Sequence, residues 1–146
     1  MISISCPSRG RPELAKRMID TAYDTAAGDI EFLIYLNDDD PTLQEYKDTI
    51  DKKHYTVGPN RSTCYSWNLM AEKAKFDYVF LAGDDIQFKT QHWDKIMTDG
   101  FNDYPDKILI TIEESKIVGI LLKLVILTTL SLMVCPYGMW LLVVVM

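Results

Sequence analysis

The sequence predicts an α/β domain of three layers, a mostly parallel sheet with helices on both faces. Three observations carry this. Strand-like apolar runs alternate along the chain with stretches of helical periodicity. The strongest runs, residues 30–36 (IEFLIYL) and 78–82 (YVFLA), are nearly continuous rather than alternating, as strands covered on both faces are. Polar, turn-forming clusters close each run, and repeated βα units of this kind bring successive strands parallel.

In chain order, residues 2–6 (ISISC) form the first expected strand, and 7–12 (PSRGRP) a turn-rich loop. Pro12 suits the first turn of a helix, where its missing N–H costs nothing. Leu14, Met18 and Ala22 recur every four residues with Ala15 and Ile19 beside them, an apolar stripe running to about residue 27, where Gly28 stops it. After the strand at 30–36, residues 37–41 break the pattern and 42–50 form a short helix, with Asp40 as its expected N-cap. Residues 55–57 are a short strand. Ser62 or Thr63 caps a helix through about residue 75, with Tyr65, Leu69, Met70 and Ala74 turned inward. The strand at 78–82, a helix at about 91–101 and a strand at 107–112 complete the body.

The chain has 146 residues, 15 basic and 21 acidic, for a net charge of −6. An acidic surface excludes a nucleic-acid backbone as the main partner. With 48% hydrophobic residues the chain is not disordered, and 7 Gly and 3 Cys exclude collagen-like and disulfide-scaffold classes. The average hides a division. Residues 1–106 carry 12 basic and 19 acidic side chains, whereas residues 107–146 carry three Lys and two Glu, and 27 of those last 40 residues are apolar. The expected organisation is a ligand-binding domain at 1–110 and a hydrophobic tail at 111–146. Residues 124–146 are 23 positions without a charge, enough to cross a bilayer. A membrane anchor and a non-native, out-of-frame segment are equal readings of the tail, with a buried core segment behind them. Met1 runs directly into a strand without a basic, apolar leader, and the odd, scattered Cys6, Cys64 and Cys135 read as reduced thiols. The expected location is cytoplasmic, with membrane association through the tail.

In sheets of this class ligands bind at the carboxyl ends of the strands. Two carboxylate clusters stand there, Asn37-Asp38-Asp39-Asp40 and Gly83-Asp84-Asp85. Carboxylates about 4 Å apart repel by roughly 4 kcal/mol at an effective dielectric near 20. A hard divalent cation relieves that repulsion and leaves positions for phosphate oxygens. A solvated turn is the bland alternative for each cluster taken alone. Arg9, Arg11 and Arg61 are candidates to neutralise phosphates, or simply surface charges of an acidic domain.

The order of these motifs resembles the nucleotide-sugar half of a family 2 type GT-A glycosyltransferase, over roughly residues 2–107. The carrying residues are Ser5-Cys6-Pro7-Ser8-Arg9 after the first strand, Asn37-Asp38 after the second, Gly58-Pro59-Asn60-Arg61, the helical Trp67-Asn68-Leu69-Met70-Ala71-Glu72-Lys73-Ala74, and Phe80-Leu81-Ala82-Gly83-Asp84-Asp85 in the place of the Asp-x-Asp metal motif. Ala82 stands where the first Asp of that motif belongs. The resemblance implies a Rossmann-like GT-A sheet. It also implies metal-assisted transfer of a sugar from a nucleotide-diphosphate donor, a UDP-sugar favoured, to an unknown acceptor. In that scheme Pro7, Ser8 and Arg9 line the nucleotide pocket, Asp38 takes the base or ribose, and Asn60 and Arg61 lie near the donor. Asp84 with Asp85 holds Mn²⁺ or Mg²⁺. No catalytic base is assigned, since Glu113 and Glu114 are the only acidic residues after Lys107.

Two rivals remain. Asp38-Asp39-Asp40-Pro41-Thr42 is similar to the opening motif of haloacid-dehalogenase-like phosphatases, which would make Asp38 a nucleophile and Asp40 a general acid, although on the second strand rather than the first. A nucleotide-binding remnant without turnover is the other. His54 and His92 lack metal-ligand spacing, and Trp67 and Trp93 read as packing residues, Trp93 with a second reading at the rim of a sugar pocket.

Overall fold

The computed structural model describes residues 1–102 and three short strands beyond them. Its elements are β1 (Ile2–Ser8), α1 (Pro12–Thr25), β2 (Ile30–Asn37), α2 (Leu43–Thr49), β3 (Tyr55–Gly58), α3 (Thr63–Ala71), β4 (Tyr78–Leu81) and α4 (Trp93–Asn102). β5 (Leu109–Thr111), β6 (Lys123–Val125) and β7 (Leu142–Val145) follow. β1 to β4 form a parallel sheet in the order β3-β2-β1-β4, and β7 adds antiparallel to the free side of β4. The α/β, Rossmann-like class read from the sequence is the observed one. The readings of the tail fall mainly on residues outside the described ones. Among the described residues no helix is long and apolar enough to cross a membrane.

Period-two alternation sorts each strand into two faces. Ile2, Ile4 and Cys6 of β1, Phe32, Ile34 and Leu36 of β2, and Phe80 and Ala82 around β4 join one buried cluster. Ala15, Met18, Ile19 and Ala22 of α1, Tyr46 of α2 and Trp93 of α4 close over it. Burying each large apolar side chain contributes about 1.5–3 kcal/mol, so this layer dominates the folding free energy. The alternate positions Tyr35, Val79 and Leu81 are buried away from that cluster. There α3 crosses β1 and β2, and β1 presents only the small Ser3 and Ser5. Trp93 stacks on Phe88 at 4.3 Å between ring centroids, in keeping with its packing role.

Several boundaries differ from expectation for local reasons. β1 continues through Pro7 and Ser8, which pair with Tyr35 and Leu36, because a missing N–H is tolerated near a strand end. Gly28 does not cap α1. The helix stops at Thr25, and the N–H groups of Ala27 and Gly28 donate to the Asp94 carboxylate at 2.7 and 2.8 Å, fastening that end to the start of α4. Thr42 rather than Asp40 is the N-cap of α2, and Asp40 instead accepts from Thr42 N at 2.9 Å. α3 is capped by Ser62 as expected, but turned: Ser66 and Met70 are buried while Tyr65 is 45% exposed.

Candidate functional site at the carboxyl ends of the strands

Because β1 lies between β2 and β4, its end meets both carboxylate clusters. Ser8, the last residue of β1, pairs with Leu36, two positions before Asp38. Its hydroxyl donates to Asp84 Oδ2 at 2.5 Å and shares a 2.6 Å hydrogen bond with Tyr46 Oη. The β2 and β4 clusters therefore lie at one edge of the sheet, to either side of Ser8.

Next to Ser8 is a cleft of about 380 Å³. Pro7, Ser8, Arg9 and Arg11 line it from β1 and the loop after it, and Asn60 and Arg61 from the segment after β3. Tyr35, Asn37, Ser66, Trp67, Ala82 and Gly83 complete most of the wall. Five residues singled out in the sequence, Pro7, Ser8, Arg9, Asn60 and Arg61, thus meet in one cavity. Asp38, Asp84 and Asp85 are not in its wall.

Each acid has a distinct environment. Asp84 is fully buried. Burial pushes its carboxyl up, against the Ser8 hydrogen bond and the Arg11 charge that favour ionisation. Arg11 Nη2 stands 2.8 Å from Asp84 Oδ1, an ion pair without hydrogen-bond alignment, so that oxygen has a countercharge but no donor. Cys6 is fully buried, and burial and the Asp84 charge push its thiol well up.

Asp39 is ion-paired with Arg9 and accepts from Asn60 Nδ2 at 3.1 Å. The Arg9 and Asn60 hydrogen bonds hold its carboxyl below the usual range. Asp40 is buried and accepts from Gly10 N at 2.9 Å, Thr42 N at 2.9 Å and Thr42 Oγ1 at 2.8 Å. Gly10 reaches it from a left-handed backbone, φ +70°, which a side chain would strain. Burial pushes the Asp40 carboxyl up, but the hydrogen bonds from Thr42 and Gly10 outweigh it and leave it low. The three donors favour the ionised form of Asp40, which speaks against the general-acid role it would have in the phosphatase alternative. Asp38 is exposed, with no hydrogen-bond or ion-pair partner for its carboxylate among the described residues.

The expected cation site does not fit this donor set. Mg²⁺ or Mn²⁺ is commonly held by one or two carboxylates, with phosphate oxygens and water completing its shell, so at least one carboxylate must face it. Ala82 supplies none, both Asp84 oxygens face Ser8 and Arg11, and the exposed Asp85 carboxylate folds over Gly83.

Trp67, Tyr46 and Arg11 gain roles that sequence reasoning passed over or left open. Trp67 reads as a packing residue but lines the cleft. Tyr46 Oη joins Ser8 and the Arg11 N–H, at 2.6 and 2.9 Å, behind the cleft wall.

No family model and no curated protein matches the sequence. Solved structures do. A mannosyltransferase from Pyrobaculum calidifontis, in complex with GDP-Man and Mn²⁺, matches with a TM-score of 0.62 at 11% identity, over 77% of this chain and 35% of that one. The fold is GT-A-like. S. aureus TarS in complex with UDP-GlcNAc matches with a TM-score of 0.58 at 12% identity, over 78% of this chain and 34% of that one. A 4-diphosphocytidyl-2C-methyl-D-erythritol synthase from Anaerococcus prevotii reaches 0.50 at 15% identity, over 85% of this chain and 62% of that one. The chain spans about a third of the length of the two transferases. At these identities the likeness is one of fold.

Proposed function

We propose that the cleft binds a nucleotide-diphosphate sugar and that the protein transfers the sugar to an acceptor. The observation that carries this reading is the cavity itself. It sits at the carboxyl ends of parallel strands, where such folds bind ligands. Its wall includes Arg11 and Arg61, whose charges suit phosphates, with Arg9 paired to Asp39 at its rim and Trp67 beside them. Fold neighbours solved with GDP-Man and UDP-GlcNAc support the ligand class.

In this reading Pro7, Ser8 and Arg9 form the nucleotide floor, Asn60 and Arg61 approach the donor, and Asp38 accepts hydrogen bonds from the ribose or base. Transfer forms a bond from the acceptor hydroxyl oxygen to the anomeric carbon. The bond from that carbon to the diphosphate oxygen breaks, and its electron pair leaves with the nucleoside diphosphate. Positive charge beside the diphosphate stabilises that departure. The acceptor proton goes to a base that no described residue identifies, and Glu113 and Glu114 lie outside the described residues.

The test is calorimetric titration with UDP, GDP and their sugars, followed by donor-sugar hydrolysis and transfer assays. The neighbours carry both bases, so both are titrated. Saturable binding that weakens about tenfold in Arg61→Ala supports the reading. Absence of binding by every nucleotide sinks it. Binding without hydrolysis or transfer leaves a nucleotide-binding module and removes the transferase.

A further inference from the structure

The following rests on the donor-site reading above. We propose that Arg11 takes the place of a divalent cation, supplying the countercharge to the diphosphate at the Asp84 end of the cleft, so that the nucleotide binds without metal.

Arg11 is the residue that touches both sides of this problem. It lines the cleft and is 52% exposed, yet one of its terminal nitrogens stands 2.8 Å from the fully buried Asp84. A guanidinium carries five N–H donors in a planar fork. With one edge turned to Asp84, the other donors remain for phosphate oxygens, which such a fork matches in pairs. The side chain also starts from a fixed point. Its backbone N–H donates to Tyr46 Oη at 2.9 Å, and its carbonyl accepts the first hydrogen bond of α1, from Ala15 N at 3.1 Å.

The neighbouring charges assign the role to Arg11. Arg9 is tied to Asp39. Arg61 has no hydrogen-bond or ion-pair partner among the described residues but approaches from the segment after β3, away from β4. At β4, Ala82 supplies no carboxylate and the exposed Asp85 lies over Gly83, so the cation that Asp84 meets in its buried setting is the guanidinium of Arg11. A cation on Asp84 Oδ1 would have to displace that guanidinium and then sit against it. With Arg11 in place, Asp84 acts as a positioning residue that aims a cation-like side chain into the cleft.

The test is titration of the full chain with UDP and with GDP, in EDTA and in Mn²⁺. The expected dissociation constants agree within about twofold in the two conditions. Arg11→Gln weakens binding in EDTA by about tenfold or more, and Arg11→Lys recovers part of the loss. Unchanged melting temperatures confirm that both variants fold. Binding that EDTA abolishes and Mn²⁺ restores overturns the inference and leaves the donor site standing. Parent-like binding by Arg11→Gln in EDTA also overturns it. Binding under neither condition overturns the donor-site reading, and this inference with it.

Discussion

The acidic turns after β2 and β4 look alike in sequence, Asp-rich segments closing very apolar strands, but the fold uses them in opposite ways. The β2 turn divides its labour: Asp40 is buried and stitched to two loops, Asp39 bridges Arg9 and Asn60, and Asp38 faces outward. The β4 turn places Asp84 inside, against one hydroxyl and one guanidinium. Backbone N–H donors stabilise the charge of Asp40, whereas desolvation destabilises that of Asp84. Number of donors, rather than depth of burial, separates a carboxylate that holds the fold from one that strains against it.

The largest effect follows from removing the stitched acid. Asp40→Ala takes the acceptor from three hydrogen bonds, those of the Gly10 N–H, the Thr42 N–H and the Thr42 hydroxyl, and should cost about 2–3 kcal/mol at about 1 kcal/mol each. Urea denaturation measures it. The charge adds a pH signature. The folded carboxyl is held below its ordinary value near 3.8, so its stabilisation is present above that value and fades as pH falls through the folded one. The gap between parent and Asp40→Asn should therefore close in acid. A gap that persists would mean that shape, not charge, is what Asp40 provides.

Asp84→Asn should act in the other direction and more weakly. The folded Asp84 carboxyl is raised, so its contribution is complete below the ordinary value near 3.8 and is lost as pH rises through the folded one. An amide resembles the protonated form, can still bond Ser8, and leaves behind an Arg11 exposed enough to stay hydrated. The variant should be more stable than the parent at neutral pH by about 1 kcal/mol or less, with the advantage disappearing in acid. A large loss at neutral pH would show that the Arg11 pair outweighs desolvation and that the two turns are alike after all.

The sequence was legible where one element decides the outcome. Continuous runs such as residues 30–36 and the stripe Ala15, Met18, Ile19 and Ala22 specify a strand and a helix face without reference to anything distant. The strand ends then bring Pro7, Ser8, Arg9, Asn60 and Arg61 together, because topology alone carries them to one edge. The orientation of α3 was not legible, since TCYSWNLMA has apolar residues on all sides and no single face to select. The Arg11–Asp84 pair, the Tyr46 hub and the three bonds to Asp40 were hidden for another reason. They join residues far apart in the chain, and no local pattern distinguishes an acid that will meet two N–H groups from one that will meet water.

Asp38 gives the smallest effect on stability and the sharpest discrimination between the turns. Its carboxylate is exposed and makes no hydrogen bond or ion pair among the described residues, and its backbone bond to Gly58 O does not depend on the side chain, so Asp38→Ala should change the unfolding free energy by less than about 0.5 kcal/mol. If it accepts hydrogen bonds from the ribose or base, the same change should weaken nucleotide binding about tenfold or more, the worth of a charge-assisted hydrogen bond. Its β2 neighbour Asp40 should show the reverse pattern, a large loss of stability. Calorimetric titration and urea denaturation on both variants measure the two quantities independently. Equal, small effects of Asp38→Ala on both would leave it a solvated turn residue, and the nucleotide would then have to be read by Asn37, Asn60 and Trp67, which line the cleft.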